Sequence, residues 1–208
     1  MKPVYILLTI IIFIISACSN TNTTNKTVGV INLGKVDKLL NDTVIEAIKT
    51  TFGFRVVSLG EKAIPQNYYI NIKSPRYRAD SIIRHLKTIK PDSIDYVLGL
   101  TAFDISITKR DANRDILKPT HKYTDWGIFG LGSVSGSSCV ISSYRLSTGT
   151  KNLFYSRIKK IAIHELGHNL GLPHCKNKNC VMTDAVERIS TIDDEGLDLC
   201  DDCRRQIN

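Results

Sequence analysis

The spacing of apolar positions changes along this chain, and the changes mark its elements. Residues 4–17 form an almost unbroken apolar run behind Met1 and Lys2. A membrane-spanning helix needs about 20 such residues, so the run reads as the apolar core of a secretion signal. Residues 19–27 (SNTNTTNKT) are polar throughout and read as a flexible tether. Short apolar runs at 28–33, 54–59 and 96–103 then read as strands, with helical spacing at 36–51 and 79–89 between them. Asp37 stands early in the first of these helices, Gly53 stops it, and Pro91 closes the second. Such alternation favours an α/β fold with a mostly parallel sheet. Residues 104–125 are polar and read as a surface loop. Residues 126–131 and 139–144 read as two further strands joined by a Gly/Ser-rich turn. From about residue 152, Phe154, Ile158, Ala162, Leu166 and Leu170 recur every four residues, which predicts a buried helix. Arg157, Lys159 and Lys160 are expected to keep its first turns in water.

That last helix carries the chemistry. Its end reads H-E-x-x-H-x-x-G-x-x-H, from His164 to His174. His164 and His168 are four residues apart, so one helix face offers both imidazoles to one ion. Glu165 lies at the rim of that face and can reach a water without ligating the ion. Gly171 and Pro173 end the helix, and the returning chain can bring His174 in as a third ligand. Three neutral imidazoles suit zinc and leave a fourth position for water. The expected reaction is hydrolysis of a peptide bond by metal-activated water, with Glu165 as general base and acid. A zinc site that only stabilises the fold is the blander alternative, but such sites close with four protein ligands.

Four cysteines follow: Cys175, Cys180, Cys200 and Cys203. Two pairs separated by a longer stretch suit a four-thiolate zinc site, which would clip a tail poor in large apolar residues. Two disulfides, or a redox C-x-x-C at Cys200 and Cys203, would use the same residues. Cys139 reads as a small core residue, with a thiol plug on the zinc as the alternative. His85 and His121 read as surface histidines, and Tyr123 and Tyr144 are candidate oxyanion donors on residue type alone.

The whole pattern from His164 to Cys203, with Met182 two residues after Cys180, resembles that of the archaemetzincins, a branch of the metzincin metallopeptidases. The resemblance implies that His164, His168 and His174 bind a catalytic zinc with Glu165 as base. It implies that Cys175, Cys180, Cys200 and Cys203 bind a second, structural zinc, giving two zinc ions per chain. Met182 would be the Met-turn residue beneath the catalytic ligands. The fold implied is a single metzincin-like domain over 28–208. It has a twisted, mostly parallel sheet with an antiparallel edge strand, a central metal-binding helix and a small zinc-clipped tail. The edge strand, at 126–130, would lie above the cleft and pair with extended peptide.

Ile15-Ser16-Ala17-Cys18 resembles a bacterial lipobox. Residues 1–17 are therefore expected to be removed as a lipoprotein signal, leaving a lipidated Cys18 on a tether over 18–27. That places the protein in the cell envelope, anchored to a membrane by its lipid, with no folded propeptide. The formal charge of +8 keeps such a protein soluble. No basic run is interleaved with aromatic residues, so a nucleic-acid partner is not expected; a peptide or protein substrate and a monomeric state are. A zinc-stabilised binding lipoprotein without turnover is the alternative from another class, and an intact Glu165 weighs against it.

Overall fold

A computed structural model describes residues 26–184 and 188–207. The expected signal sequence, Cys18 and most of the tether lie outside these residues. The chain runs β1 (Thr27–Leu33), α1 (Lys38–Phe52), β2 (Arg55–Lys62), β3 (Tyr69–Asn71), β4 (Pro75–Arg78) and α2 (Ala79–Ile89). It continues through β5 (Tyr96–Thr101), β6 (Ile105–Ile107), α3 (Thr120–Tyr123), β7 (Trp126–Ile128), β8 (Gly130–Gly132) and β9 (Ser138–Ser142). Helices α4 (Lys151–Asn169), α5 (Ile189–Asp194) and α6 (Asp201–Ile207) complete it. Asp37 caps α1 by accepting the backbone N–H groups of Leu39 and Leu40, and Gly53 ends the helix. No described helix is long and apolar enough to cross a membrane.

The main sheet has five strands in the order β2-β1-β5-β9-β8. The first four are parallel, and β8 runs antiparallel along β9 as one edge. Apolar side chains leave both faces, as buried parallel strands require. Val28, Val30, Leu98, Leu100, Cys139 and Ile141 pack towards α1 and α4. Ile31, Leu33, Val97 and Val140 pack the other way, towards α2 and a second, smaller sheet. That sheet, ordered β3-β4-β6-β7, draws two of its strands from the stretch 104–128.

Two expectations change here. Residues 104–125 are more than a surface loop, because they contain β6 and the buried carboxylates Asp104 and Asp125. Arg76 Nε donates to Asp104 at 2.8 Å, Arg145 Nε donates to the same carboxylate at 2.6 Å, and Arg76 Nη1 lies 3.1 Å from Asp125. Residues 126–131 are two strands rather than one. β7 belongs to the small sheet, and only β8 forms the edge of the large one. The chain changes sheets at Phe129, whose carbonyl accepts the Ser142 N–H at 2.8 Å.

The wet face expected for early α4 is also overturned at two positions. Arg157 and Lys160 are buried. Arg157 makes a two-pronged pair with Asp193, at 2.7 Å for each nitrogen. Lys160 Nζ donates to the carbonyls of Ile192 and Glu195, at 2.6 and 2.7 Å. Segment 192–195, from the C-terminal tail, supplies partners that no local pattern reveals.

Candidate metal centres and active site

Helix α4 is buried over its last two turns because it crosses beneath the main sheet and meets the tail on its other side. His164 and His168 project from one face of it. The chain then turns at Gly171 (φ 97°) and returns His174 to the same place. The three imidazoles present nitrogens that all lie within 4.8 Å of one another, with ring centroids 4.7–5.3 Å apart. His164 Nδ1–H donates to the Val181 carbonyl and His168 Nδ1–H to the Leu172 carbonyl, each at 2.8 Å. His174 Nδ1 lies 3.5 Å from the Asp184 carboxylate. With Nδ1 of each ring so engaged, Nε2 is the nitrogen left to face a metal, an arrangement typical of ligating histidines. Burial, aided by the neighbouring His168, lowers the pKa of His164 to about 4, and burial lowers that of His168. Both are held as neutral imidazoles, the form that binds a metal.

Glu165 stands beside the trio, buried against β8. Burial raises its pKa to about 8, partly offset by the backbone N–H of Gly132. Among the described residues no ammonium or guanidinium pairs with it, and a divalent cation held by the trio would favour its ionised form. The approach of α4 to the edge strand depends on missing side chains. A Cβ on Gly132 would lie 2.3 Å from the Glu165 carbonyl oxygen, and one on Gly130 2.6 Å from its carboxylate. The sequence pattern places Gly130 in the predicted strand and Gly132 in the Gly/Ser-rich turn, with no sign of this close approach. It also missed Asn169, whose Nδ2 donates to the carbonyls of Ser133 and Ser138 and ties the end of α4 to the β8–β9 connection.

Met182 is fully buried, and its sulfur packs where a Cβ on Gly167 would sit, 2.4 Å away. It therefore lies against the turn of α4 that carries His168. Between α4 and β8 opens a cleft of about 460 Å³, lined by the three histidines, Glu165 and apolar residues that include Ile107, Ile128 and Leu131.

The four tail cysteines form a second cluster. All are free thiols, and their sulfurs lie within 4.8 Å of one another. Cys175 and Cys200 are 3.8 Å apart, Cys180 and Cys203 3.7 Å. A disulfide needs about 2.05 Å, whereas thiolates on a tetrahedral zinc at about 2.3 Å are spaced by about 3.8 Å. The donor set and its spacing fit zinc. The Cys203 N–H lowers Cys200 to about 7, while burial, with neighbouring thiols, pushes Cys203 well up.

The remaining candidates fall elsewhere. Cys139 is fully buried in the core on β9, in register with Gly132 of the edge strand. His121 is exposed on α3, and His85 packs edge-on against Tyr68. Tyr144 is exposed and Tyr123 stacks on Trp126; neither lines the cleft.

Three neutral imidazoles on a helix and its return, a buried carboxyl beside them and a sheet-edge cleft define a zinc metallopeptidase. The chain belongs to peptidase family M54, whose sequence model matches residues 53–208. It is similar to the archaemetzincin of Halobacterium salinarum, 26% identical over 189 residues that cover 86% of this chain and 98% of that one. The archaemetzincin of Archaeoglobus fulgidus is 31% identical over 137 residues, covering 66% and 72%. Crystal structures give the same picture of the fold. The Methanopyrus kandleri archaemetzincin superposes with a TM-score of 0.73 at 23% identity, covering 91% of this chain and 96% of that one. The Archaeoglobus fulgidus protein, complexed with malonate, gives 0.69 at 26%, covering 87% and 99%.

Proposed function

We propose that the protein hydrolyses peptide bonds in the cleft between α4 and β8, with Glu165 as general base and acid. His164, His168 and His174 would hold the catalytic zinc through Nε2, and Cys175, Cys180, Cys200 and Cys203 a second, structural zinc. The bound catalytic ion supplies Lewis acidity, which lowers the pKa of water towards about 7 and polarises a carbonyl. The chain's own groups do the rest. Carbonyls of Val181 and Leu172 fix two of the rings, so the ligands are oriented before a metal arrives. Glu165, in its buried position, takes a proton from the attacking water and hands it to the leaving amine. The outer edge of β8 offers backbone groups with which an extended substrate can pair. Met182 supports the helix turn beneath the ligands.

The observation that carries this reading is the convergence of three ring nitrogens within 4.8 Å beside a buried carboxyl. The test is Glu165→Gln. It should lower kcat/KM on a peptide library by roughly 10²- to 10⁴-fold, with zinc content and thermal unfolding unchanged. A variant that keeps most of its turnover sinks the role assigned to Glu165. Metal analysis should return two zinc ions per chain, with the four tail thiols titratable only after chelation.

For the N-terminus the proposal rests on sequence: cleavage before Cys18, a lipid on that cysteine and a place in the cell envelope. The folded domain would then act on peptides as a monomer at the membrane surface. Failure of a labelled fatty acid to enter the wild-type protein in its native cell would dispose of the anchor without touching the peptidase reading.

A further inference from the structure

Helix α4 carries a second row of side chains that the peptidase reading leaves unused. Asn152, Tyr155, Ser156 and Lys159 recur at helical spacing along its first half. At about 100° per residue this row lies on a different side of the helix from His164 and His168. It faces Thr43 of α1 and Leu197 of the tail, and these six residues line an open pocket of about 390 Å³. None of them lines the cleft beside the histidines. A helix face turned towards another helix is normally apolar, as it is further along, where Val44 and Ile48 of α1 share a core cluster with Ile158 and Ala162. Here it is polar, and internal bonding does not account for it. Tyr155, Ser156 and Lys159 are half-buried and Asn152 is exposed. Among the described residues, no hydrogen bond or ion pair engages the Lys159 ammonium, the Asn152 amide or the hydroxyls of Ser156 and Tyr155. These groups bring three N–H donors from the ammonium, two from the amide and one O–H from each hydroxyl. No carboxylate lines the pocket. Of the acids close by in sequence, Asp42 is engaged by Lys38 and Asp198 by Arg204, Glu46 accepts the Thr50 hydroxyl at 3.3 Å, and Asp194 is exposed. The Thr43 hydroxyl is committed to the Leu39 carbonyl at 2.7 Å.

We propose that this pocket is a binding site for a phosphate group, separate from the cleft and independent of the peptidase reading. Lys159 supplies the counter-charge, as lysine commonly does for phosphate. Asn152, Ser156 and Tyr155 donate hydrogen bonds, and Leu197 packs against the organic part of an ester. A cation ringed by donors, with no acid beside it, calls for an anion. A carboxylate offers only about four lone-pair sites, fewer than the donors present, whereas the several oxygens of a phosphate can take them all. A free phosphate or phosphomonoester and a phospholipid headgroup present this same chemistry.

The test titrates the full protein, loaded with zinc, with inorganic phosphate, phenyl phosphate, a short-chain phosphatidylglycerol below its micelle concentration, and acetate. Calorimetry gives the affinities, and amide NMR shifts over residues 152–159 locate the binding. Phosphate should bind with a Kd of about 1 mM, and acetate about tenfold more weakly. Lys159→Met should weaken phosphate binding about tenfold, while Lys159→Arg, which keeps the charge, should stay within about threefold of wild type. Lys87→Met, on α2 across the main sheet, should change nothing. Tightest binding of the phenyl ester or of inorganic phosphate assigns a free phosphate or monoester, and tightest binding of phosphatidylglycerol assigns a headgroup. Phosphate binding that survives Lys159→Met belongs elsewhere, for instance on the catalytic zinc, and overturns the site. Saturable binding that moves no resonance between 152 and 159, acetate binding as tightly as phosphate, or no phosphate binding at 20 times the expected Kd (about 20 mM) overturns it equally.

Discussion

The histidine trio and the cysteine quartet sit side by side yet are built on opposite plans. Two of the three imidazoles come from one rigid helix, and their orientation is set by backbone carbonyls at 2.8 Å. The trio opens into the cleft, with His174 partly exposed. The quartet gathers sulfurs from a turn and from the start of α6, at Cys175, Cys180, Cys200 and Cys203, and none of the four lines the cleft. The apolar cluster around it, which holds Ile163, Leu172, Val181, Met182 and Leu199, is the smallest of the three among the described residues. The trio is thus held by a fold that exists already, whereas the quartet has to help make its own. The lesson concerns what each contributes. An open set of three ligands on a preformed frame suits chemistry, and a closed set of four suits cohesion.

The sharpest way to break this contrast is to remove one ligand from each. Cys203→Ala should destabilise the protein by about 3 kcal/mol or more, because it takes one of the four proposed structural-zinc ligands from the smallest of the three apolar clusters. His168→Ala should abolish turnover while shifting the unfolding midpoint far less. Circular dichroism melts of the two variants, with and without a chelator, measure both. If the two changes cost the same stability, the distinction fails.

Next in size is the packing of α4 on the edge strand. Gly132→Ala places a methyl group against the Glu165 carbonyl and should cost about 1–3 kcal/mol as overpacking. It should also lower kcat by displacing Glu165 from the trio, leaving the thiol cluster intact. A crystal structure or a thiol titration of the variant checks the second half.

The smallest effect concerns acid. The Arg157 guanidinium holds the Asp193 carboxyl below its ordinary value of 3.8. A carboxyl depressed in the folded state adds stability that is present above its unfolded pKa and is lost as pH falls through the folded one. Urea midpoints of wild type should therefore fall more steeply below about pH 4 than those of Arg157→Met. Parallel curves would show that the α4–α5 contact contributes nothing to this dependence.

The two candidate ligand sets were legible because the chemistry constrains both residue type and spacing. His164 to His174 spans little chain, and no ordinary core needs three histidines in that order. The main sheet was legible because β1, β5 and β9 are apolar on both faces, as strands buried on both sides must be. The small sheet was not, since its strands are only three or four residues long and the Arg76 charge on β4 has its partners, Asp104 and Asp125, far along the chain. Asp104 looks like a loop residue until Arg76 and Arg145 are placed beside it. Arg157 and Lys160 misled for the same reason: a cation on a helix reads as solvated unless the segment that receives it is known. Gly130 reads as a strand residue and Gly132 as part of a turn, whereas what matters at both is the absence of a Cβ. The split at Phe129 has no sequence signal, because residues on its two sides are equally suited to extended backbone.

Cys180, Val181 and Met182 are consecutive. The first offers its sulfur to the quartet, the second its carbonyl to His164, and the third its thioether to the helix turn below His168. One tripeptide therefore acts as a hinge pin common to both clusters. A length change there would upset both clusters together, so insertions and deletions belong on either flank of it, never inside.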